Sequence, residues 1–266
     1  MIYLKLDTIE LELFEENNFA ILHLNRPDNL NALNTQMAED ITIGLQEVSK
    51  QSNKIRSLII TGKGKTFSAG GDLAEFKSSD DPDFLYKLAG KFHKAIKLLK
   101  HLNAPSIAAV NGACYGVGLS LVSACDLRFC SQSARFSVAF TNVGLSPDSS
   151  LTFHLPKIIG LSLANEMVLL NKTLTANEAK QAQLVSEITS NDQLLERVKQ
   201  VAIKISSGPT IAYGSTKRLF FRSYGNWLNE HLEDELKNLK LTSTTMDSQE
   251  GMSAFLEKRK PYFQGK

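Results

Sequence analysis

The sequence offers no run near the roughly 18 apolar residues of a membrane span and no dominant charge. Its 30 basic and 28 acidic side chains leave a net charge of +2. A balance that close gives no electrostatic footprint for nucleic acid or a membrane surface, so neither is expected as a partner. Cysteine is scarce. Cys114, Cys125 and Cys130 form no CxxC pair and no disulfide framework, and they read as small buried apolar residues in a reducing compartment. No HExxH and no Cys/His cluster supplies ligands for a catalytic metal, so none is expected. The start, "MIYLKLDTIELELFEE", is acidic and alternating, which is no pattern for a signal peptide, and the end, "FQGK", carries no lipidation or peroxisomal address. The expectation is a cytoplasmic protein, with no internal repeat and no low-complexity tract.

What is present suits a large α/β core. The 266 residues are 42% hydrophobic, enough to bury a sizeable interior. "FAILHLN" (19–25) and "IRSLIIT" (55–61) read as strands. Between them "NTQMAEDITIGLQEVSK" puts Met37, Ile41, Leu45 and Val48 on one helical face, with Asn34 as N-cap and acids in the first turn. "LAGKFHKAIKLLKHL" repeats that pattern through Leu88, Phe92, Ala95, Ile96 and Leu99. "SIAAV" (106–110), "DLRFCS" and "ARFSVAF" read as further strands. After about residue 160 the strand signals stop. "TANE" (175–178) is a capping box, and helices are expected over about 192–206 and 226–246, with a last short one in "SQEGMSAFLEKR". Leu228, Leu232, Leu236 and Leu239 form one stripe of the longest; such a tail packs on the core or on a neighbouring subunit.

Two stretches carry the candidate chemistry. Each is a buried strand entering a glycine-rich turn: "LIITGKGKTFSAGGDL" (58–73) and "SIAAVNGACYGVGLSL" (106–121). "GKGKT" lacks the earlier glycine of a phosphate loop, since position 59 is Ile, and neither stretch fits GxGxxG. "FSAGGDL" can be a plain turn, or a set of bare amides aimed at developing negative charge, because small residues let N–H groups approach a ligand. If the amides of Ala69 and Val117 converge they form an oxyanion hole, the second at a helix N-terminus where the dipole assists. The histidines at 23, 93, 101, 154 and 231 are scattered, and His154, near "GLSPDSS", reads as a packing residue.

Four motifs in order, "NRPDNLNALN" (25–34), "GKTFSAGGDL" (64–73), "AAVNGACYGVGLSLVSACDL" (108–127) and "FTNVGLSPDSS" (140–150), resemble the crotonase, or enoyl-CoA hydratase/isomerase, superfamily. The ending "SAFLEKRKPYFQGK" is similar to that of its isomerase members. The resemblance covers nearly the whole chain. It implies an α/β fold, a crotonase-like spiral of ββα units over residues 1–200, with a helical C-terminal trimerisation region over 201–266. It also implies a homotrimer or dimer of trimers and an acyl-CoA thioester as substrate, the coenzyme A being part of that substrate and no separate cofactor. The oxyanion amides are then those of Ala69 and Val117. The adenine and pantetheine contacts fall near Arg26, Ala32 and the segment Ala69, Gly70, Gly71, Asp72 and Leu73, with Asp72 bracing the loop.

Such a site does enolate chemistry, and the carboxylates decide the product. Hydratases of this family use two glutamates to activate water and deliver a proton; the matching positions here are Ser120 and Phe140. Asp148 matches the acid of the family's enoyl-CoA isomerases and of the ring-epoxide isomerase of phenylacetate breakdown. One base suffices to shift a double bond. Phe140, Leu145 and Leu151 imply a dry surrounding that raises its pKa, although an aspartate after Pro147 is also an ordinary turn residue. Ser149 and Ser150 stand where relatives often carry glycines. The family's aryl-CoA dehalogenases use the same acid as a nucleophile with a histidine near the ring, and no histidine can be placed there. Two alternatives to the isomerase stay open: an atypical hydratase with water held by Ser120 and Asp148, and a silent crotonase fold acting as a binding protein, even for RNA. For the latter, which wants a basic stripe with interleaved aromatics, the only candidate is "KRKPYF" (258–263), which more simply reaches CoA phosphates or caps the last helix.

Overall fold

The apolar runs of the sequence become the middle of one sheet. The structure is a computed structural model that describes residues 2–266. Its strands are β1 (Ile2–Lys5), β2 (Ile9–Phe14), β3 (Phe19–Leu24), β4 (Ser57–Gly62) and β5 (Ser106–Val110). They continue with β6 (Ala113–Tyr115), β7 (Leu127–Ser131), β8 (Arg135–Ser137), β9 (Leu174–Thr175) and β10 (Glu187–Thr189). Seven order as β1-β2-β3-β4-β5-β7-β10, antiparallel as far as β3 and parallel beyond it, while β6, β8 and β9 form a small second sheet. Along β3, β4 and β5, Ala20, Leu22, Leu58, Ile60, Ala108 and Val110 enter one core layer. The alternate residues Phe19, Ile21, Ile59, Ile107 and Ala109 enter the other. Both faces are covered, so the sequence shows continuous apolar runs.

The helices are α1 (Thr35–Lys50), α2 (Leu73–Ser78), α3 (Phe84–His101), α4 (Val117–Ala124), α5 (Leu151–Ile159) and α6 (Leu161–Leu169). After them come α7 (Ala176–Gln181), α8 (Leu194–Ser206), α9 (Thr210–Arg222), α10 (Leu228–Ser243) and α11 (Met246–Leu256). The expected stripes of α1 and α3 are buried in the first layer. Asn34 caps α1 by accepting from the Met37 amide at 2.9 Å. The first turn of α1 carries no acid, contrary to expectation. Asp40 comes one turn later, is buried, and accepts from the amide and hydroxyl of Thr8 at 2.9 and 2.7 Å, tying α1 to the approach of β2.

Strand signals do not end near residue 160. β9 pairs with β8, and β10 extends the main sheet beside β7. Runs of two and three residues are too short to leave a periodic signature. The expected division near residue 200 falls inside α8, whose Leu194, Val198 and Ala202 cover the second layer of the sheet. Thr175 and Glu178 form the expected capping box. All three cysteines are buried, and burial holds the thiols of Cys125 and Cys130 up at about 12. No helix among the described residues is long and apolar enough to cross a membrane.

The helical tail is fastened at one point of the core. Arg56, buried just before β4, donates to the Gly208 carbonyl at 2.6 Å, the Thr210 hydroxyl at 3.0 Å and the Phe263 carbonyl at 3.1 Å. Asp247 holds the other side by accepting from the amides of Gln264 and Gly265 at 2.6 and 2.7 Å. In "KRKPYF", Arg259 is turned back onto Glu250 of α11 at 2.7 Å, which favours the capping role of that stretch. α10 lies apart: Arg222 and Asn226 reach Asp234 at 3.0 and 3.1 Å, but Leu228, Leu232, Leu236 and Leu239 are all exposed on this chain.

Removing the guanidinium strands three polar partners, a loss of about 3–6 kcal/mol at about 1–2 kcal/mol per broken bond. Arg56→Ala should lower the urea midpoint accordingly and open the segment after residue 207 to limited proteolysis. Unfolding at the wild-type midpoint would contradict this role.

Candidate active site

The loop after β4 and the loop after β5 run side by side and hold each other through backbone bonds. Phe67 and Ser68 donate to the Ala113 carbonyl, each at 3.0 Å, and Tyr115 donates to the Ser68 carbonyl at 2.9 Å. The contact tightens at Gly70 (φ +103°) and Gly116 (φ +53°), which occupy backbone regions that other residues avoid. A Cβ on Gly70 would stand 3.3 Å from the Tyr115 carbonyl oxygen. One on Gly116 would stand 3.3 Å from the Gly70 Cα and 4.0 Å from the Gly71 nitrogen. Glycines therefore bring Gly71 against the N-terminus of α4, where Val117 is the first residue.

Of the two amides expected to converge, that of Val117 stands at the start of α4 and that of Ala69 is already engaged. The Ala69 N–H donates to the Leu30 carbonyl at 3.0 Å, so it cannot serve a ligand. Gly70 donates to the Ser68 hydroxyl at 3.2 Å and Asp72 to the Leu33 carbonyl at 3.1 Å. The parallel bridge between Leu33 and Gly71 uses only those flanking groups, which leaves the Gly71 N–H without a partner among the described residues. Val117, at the first position of α4, has no intrahelical acceptor, and Gly116 offers no side chain to cap it. The free pair is Gly71 and Val117. A two-residue register along "SAGG" is invisible in sequence, because any of these small residues could present its amide.

Both face one cavity of about 430 Å³. Its walls are mostly apolar, with Phe76 of α2, Leu85, Leu88 and Phe92 of α3, and Phe140, Val143 and Leu145 from the segment after β8, and Asn142 and Ser146 add polar side chains. Ala69, Gly70 and Leu73 line it as well. Leu88 and Phe92 read from sequence as core only. The helical stripe that fills the core also forms a cavity wall, and periodicity cannot separate the two uses.

Asp148 is the only carboxylate among the described residues lining this cavity. Its main chain is pinned: the carbonyl accepts from the Leu151 amide at 3.0 Å and from the Ser120 hydroxyl at 3.1 Å. Ser149 (φ +50°) and Ser150 (φ +70°) turn the chain through two successive left-handed residues, the conformation that glycines in relatives would adopt freely. One carboxylate oxygen, Oδ1, is buried with no hydrogen-bond partner among the described residues. Burial pushes the acid above its ordinary pKa, partly offset by the nearby Ser149 hydroxyl and by His93. Leu151, expected beside the acid, is buried in the core and does not line the cavity.

Other expected contacts lie outside the cavity lining. Ser120 is fully buried with its hydroxyl committed to Asp148, so it does not reach the cavity to hold water. Arg26 and Ala32 lie outside the lining; the Arg26 guanidinium donates to the Ala32 carbonyl at 2.5 Å and to Asp72 at 2.9 Å. Asp72 also caps α2 by accepting from the Glu75 amide at 3.3 Å. The sequence reading passed over Asn31. Fully buried, it donates to the carbonyls of Lys63 and Thr66 at 2.9 and 2.7 Å and accepts from the Arg26 amide at 2.9 Å, locking together the 26–31 and 63–66 loops.

Comparison with known proteins shows the family and the fold. A family profile for enoyl-CoA hydratase/isomerase matches residues 15–266. The chain is 32% identical to a 1,2-epoxyphenylacetyl-CoA isomerase of Escherichia coli over 254 residues, 94% of this chain and 97% of that one. It is 34% identical to a 2,3-dehydroadipyl-CoA hydratase of Escherichia coli, covering 97% of this chain and 99% of the other. The crystal structure of a putative enoyl-CoA hydratase from Streptomyces coelicolor superposes with a TM-score of 0.91 at 31% identity, covering 98% of this chain and 96% of that one. The fold is therefore the crotonase fold.

The raised pKa of Asp148 has a consequence for stability. A group whose folded pKa lies above its unfolded value contributes stability below the unfolded pKa and loses it as pH rises through the folded one. Asp148→Asn should therefore melt higher than wild type at pH 7, with the gain vanishing as pH falls below about 4, where the acid is protonated in both states. Melting temperatures measured across that range check the sign. A variant less stable than wild type at pH 7 would contradict it.

Proposed function

The chain belongs to the enoyl-CoA hydratase/isomerase family, within the crotonase superfamily, and we propose that it acts there as an isomerase, shifting a double bond in an enoyl-CoA thioester. The observation that carries this reading is Asp148, the one carboxylate among the described residues of a largely apolar cavity that also holds Asn142, Ser146 and two amides without a partner among the described residues. The thioester oxygen lies between the N–H groups of Gly71 and Val117. Asp148 removes a proton from C2 of a 3-enoyl chain, the charge moves onto the oxygen, and the same acid returns the proton at C4. Each well-placed donor stabilises such an oxyanion by roughly 2.7–4 kcal/mol. The raised pKa of the acid suits a group that must take and return one proton, because the ideal value lies nearer the working pH than that of an ordinary aspartate.

Hydration would need a second group to hold and activate water. Phe140 cannot, and Ser120 is committed to the Asp148 carbonyl. The nucleotide end of the substrate is assigned to the surface beside Arg26, Ala32 and Leu73, with the Arg26–Asp72 pair keeping the loop in register. The exposed leucines of α10 are assigned to contacts between copies in a homotrimer or a dimer of trimers.

Val117→Pro removes one amide while keeping α4, since proline is accommodated at the first position of a helix. With 3-enoyl-CoA as substrate, this variant should lose about 10²–10³ in kcat and Asp148→Asn about 10²–10⁴. Followed product by product, wild type should move the double bond faster than it adds water to 2-enoyl-CoA. Faster hydration would favour the hydratase alternative, and no turnover of either substrate would favour a binding protein.

A further inference from the structure

A second cavity, of about 440 Å³, opens where the end of α3, the start of β7, α5 and α9 meet, and it shares no lining residue with the first. One wall is aromatic, with Tyr213, Phe220, Phe221 and Tyr224. The polar side is strongly positive. Lys100, Arg128, Lys157 and Lys217 line it against a single carboxylate, Asp126. That carboxylate is already occupied by Lys217 at 2.7 Å, Lys100 at 3.5 Å and the amide and hydroxyl of Ser106, both at 2.8 Å. Among the described residues neither Arg128 nor Lys157 has an ion-pair partner; Arg128 donates only to the Leu184 and Cys125 carbonyls, and Lys157 lies over the rings of Phe153 and Tyr224.

Two buried polar atoms at this cavity have no partner among the described residues, Ser123 Oγ and His154 Nε2, in residues 2% and 7% exposed. Buried polar atoms are nearly always paired, so both call for an occupant. Burial first, then Lys100, pushes His154 down to about 4, and its ring is neutral at pH 7. Its Nδ1 lies 3.1 Å from the Ser150 hydroxyl. The Ser150 carbonyl lies 3.2 Å from the same nitrogen; the tautomer this site requires is the one in which the hydroxyl donates to Nδ1 and the ring proton sits on Nε2. The site then offers two neutral donors inside a positive field.

We propose that this cavity is a second binding site, for a small aromatic monocarboxylate held by Ser123, His154 and Arg128 with its ring against the aromatic wall. The volume lies within the range of small-molecule sites, and the balance of a few polar groups on an apolar lining is that of a built pocket. Inorganic phosphate would satisfy the donors but leave the aromatic wall wet, and a neutral amide would gain nothing from the charge excess.

Benzoate is the probe, titrated calorimetrically into the intact protein and compared with benzamide and inorganic phosphate. The expected result is a Kd below about 1 mM for benzoate, with the other two at least roughly tenfold weaker. Nitrogen NMR of the histidine rings should show His154 protonated on Nε2 and shifted by benzoate, with His23, His93, His101 and His231 unmoved. Lys157→Gln, a change at an exposed residue, should weaken benzoate several-fold, whereas Asp148→Asn should bind it as wild type does. Absence of binding, equal affinity for benzamide or phosphate, a silent His154 resonance, or benzoate lost in Asp148→Asn would each overturn the proposal.

Discussion

Everything at the candidate active site depends on backbone touching backbone where Gly70 meets Gly116. Strands β4 and β5 are hydrogen-bonded neighbours, so their exits start one strand spacing apart. Two residues without side chains, both at positive φ, then let the loops close until the Gly71 amide stands at the N-terminus of α4. The surrounding bonds do not create this contact; they keep it. Asn31 fixes the first loop to the 26–31 segment, Arg26 and Asp72 fix its end to α2, and the Ser68–Cys114 bridge joins the two exits.

The second constraint is the exposure of a carboxylate to an apolar cavity. Its main chain is well satisfied, but one oxygen is buried without a donor. An unpaired buried acid costs stability, as do Ser149 and Ser150 in left-handed conformation, and such costs gather at functional sites. The segment 148–154 also joins the two cavities of the molecule. Asp148 lines the first and His154 the second, and the Ser150 carbonyl and hydroxyl lie between them, 3.2 and 3.1 Å from the His154 ring nitrogen.

The sequence made much of this visible, and the gaps have physical causes. Helical stripes such as Met37–Ile41–Leu45 and Leu88–Phe92–Leu99 announce themselves because burial imposes a period, and Asn34 and Thr175 announce helix starts because orphan amides need acceptors. Asp148 was legible through its match to the acid of the isomerase members, since on its residues alone an aspartate after Pro147 reads equally as a turn residue. The choice between Ala69 and Gly71 was not, since it turns on which amide the Leu30 carbonyl takes, a contact across 39 positions that leaves no local mark. Nor was Ser120 legible as scaffold, because a serine reads the same whether its hydroxyl faces a substrate or a carbonyl. β9 and β10 escaped because they are too short to have a period.

The central claim is that Gly71 and Val117, not Ala69, receive the thioester oxygen. A crystal structure with an unreactive acyl-CoA analogue measures this directly. The account predicts that oxygen at about 2.7–3.1 Å from both nitrogens, with the Asp148 carboxylate over the adjoining carbons and the Ala69–Leu30 bond intact. A carbonyl oxygen held elsewhere in the cavity, or an Ala69 amide released from Leu30 to bind it, would contradict the account.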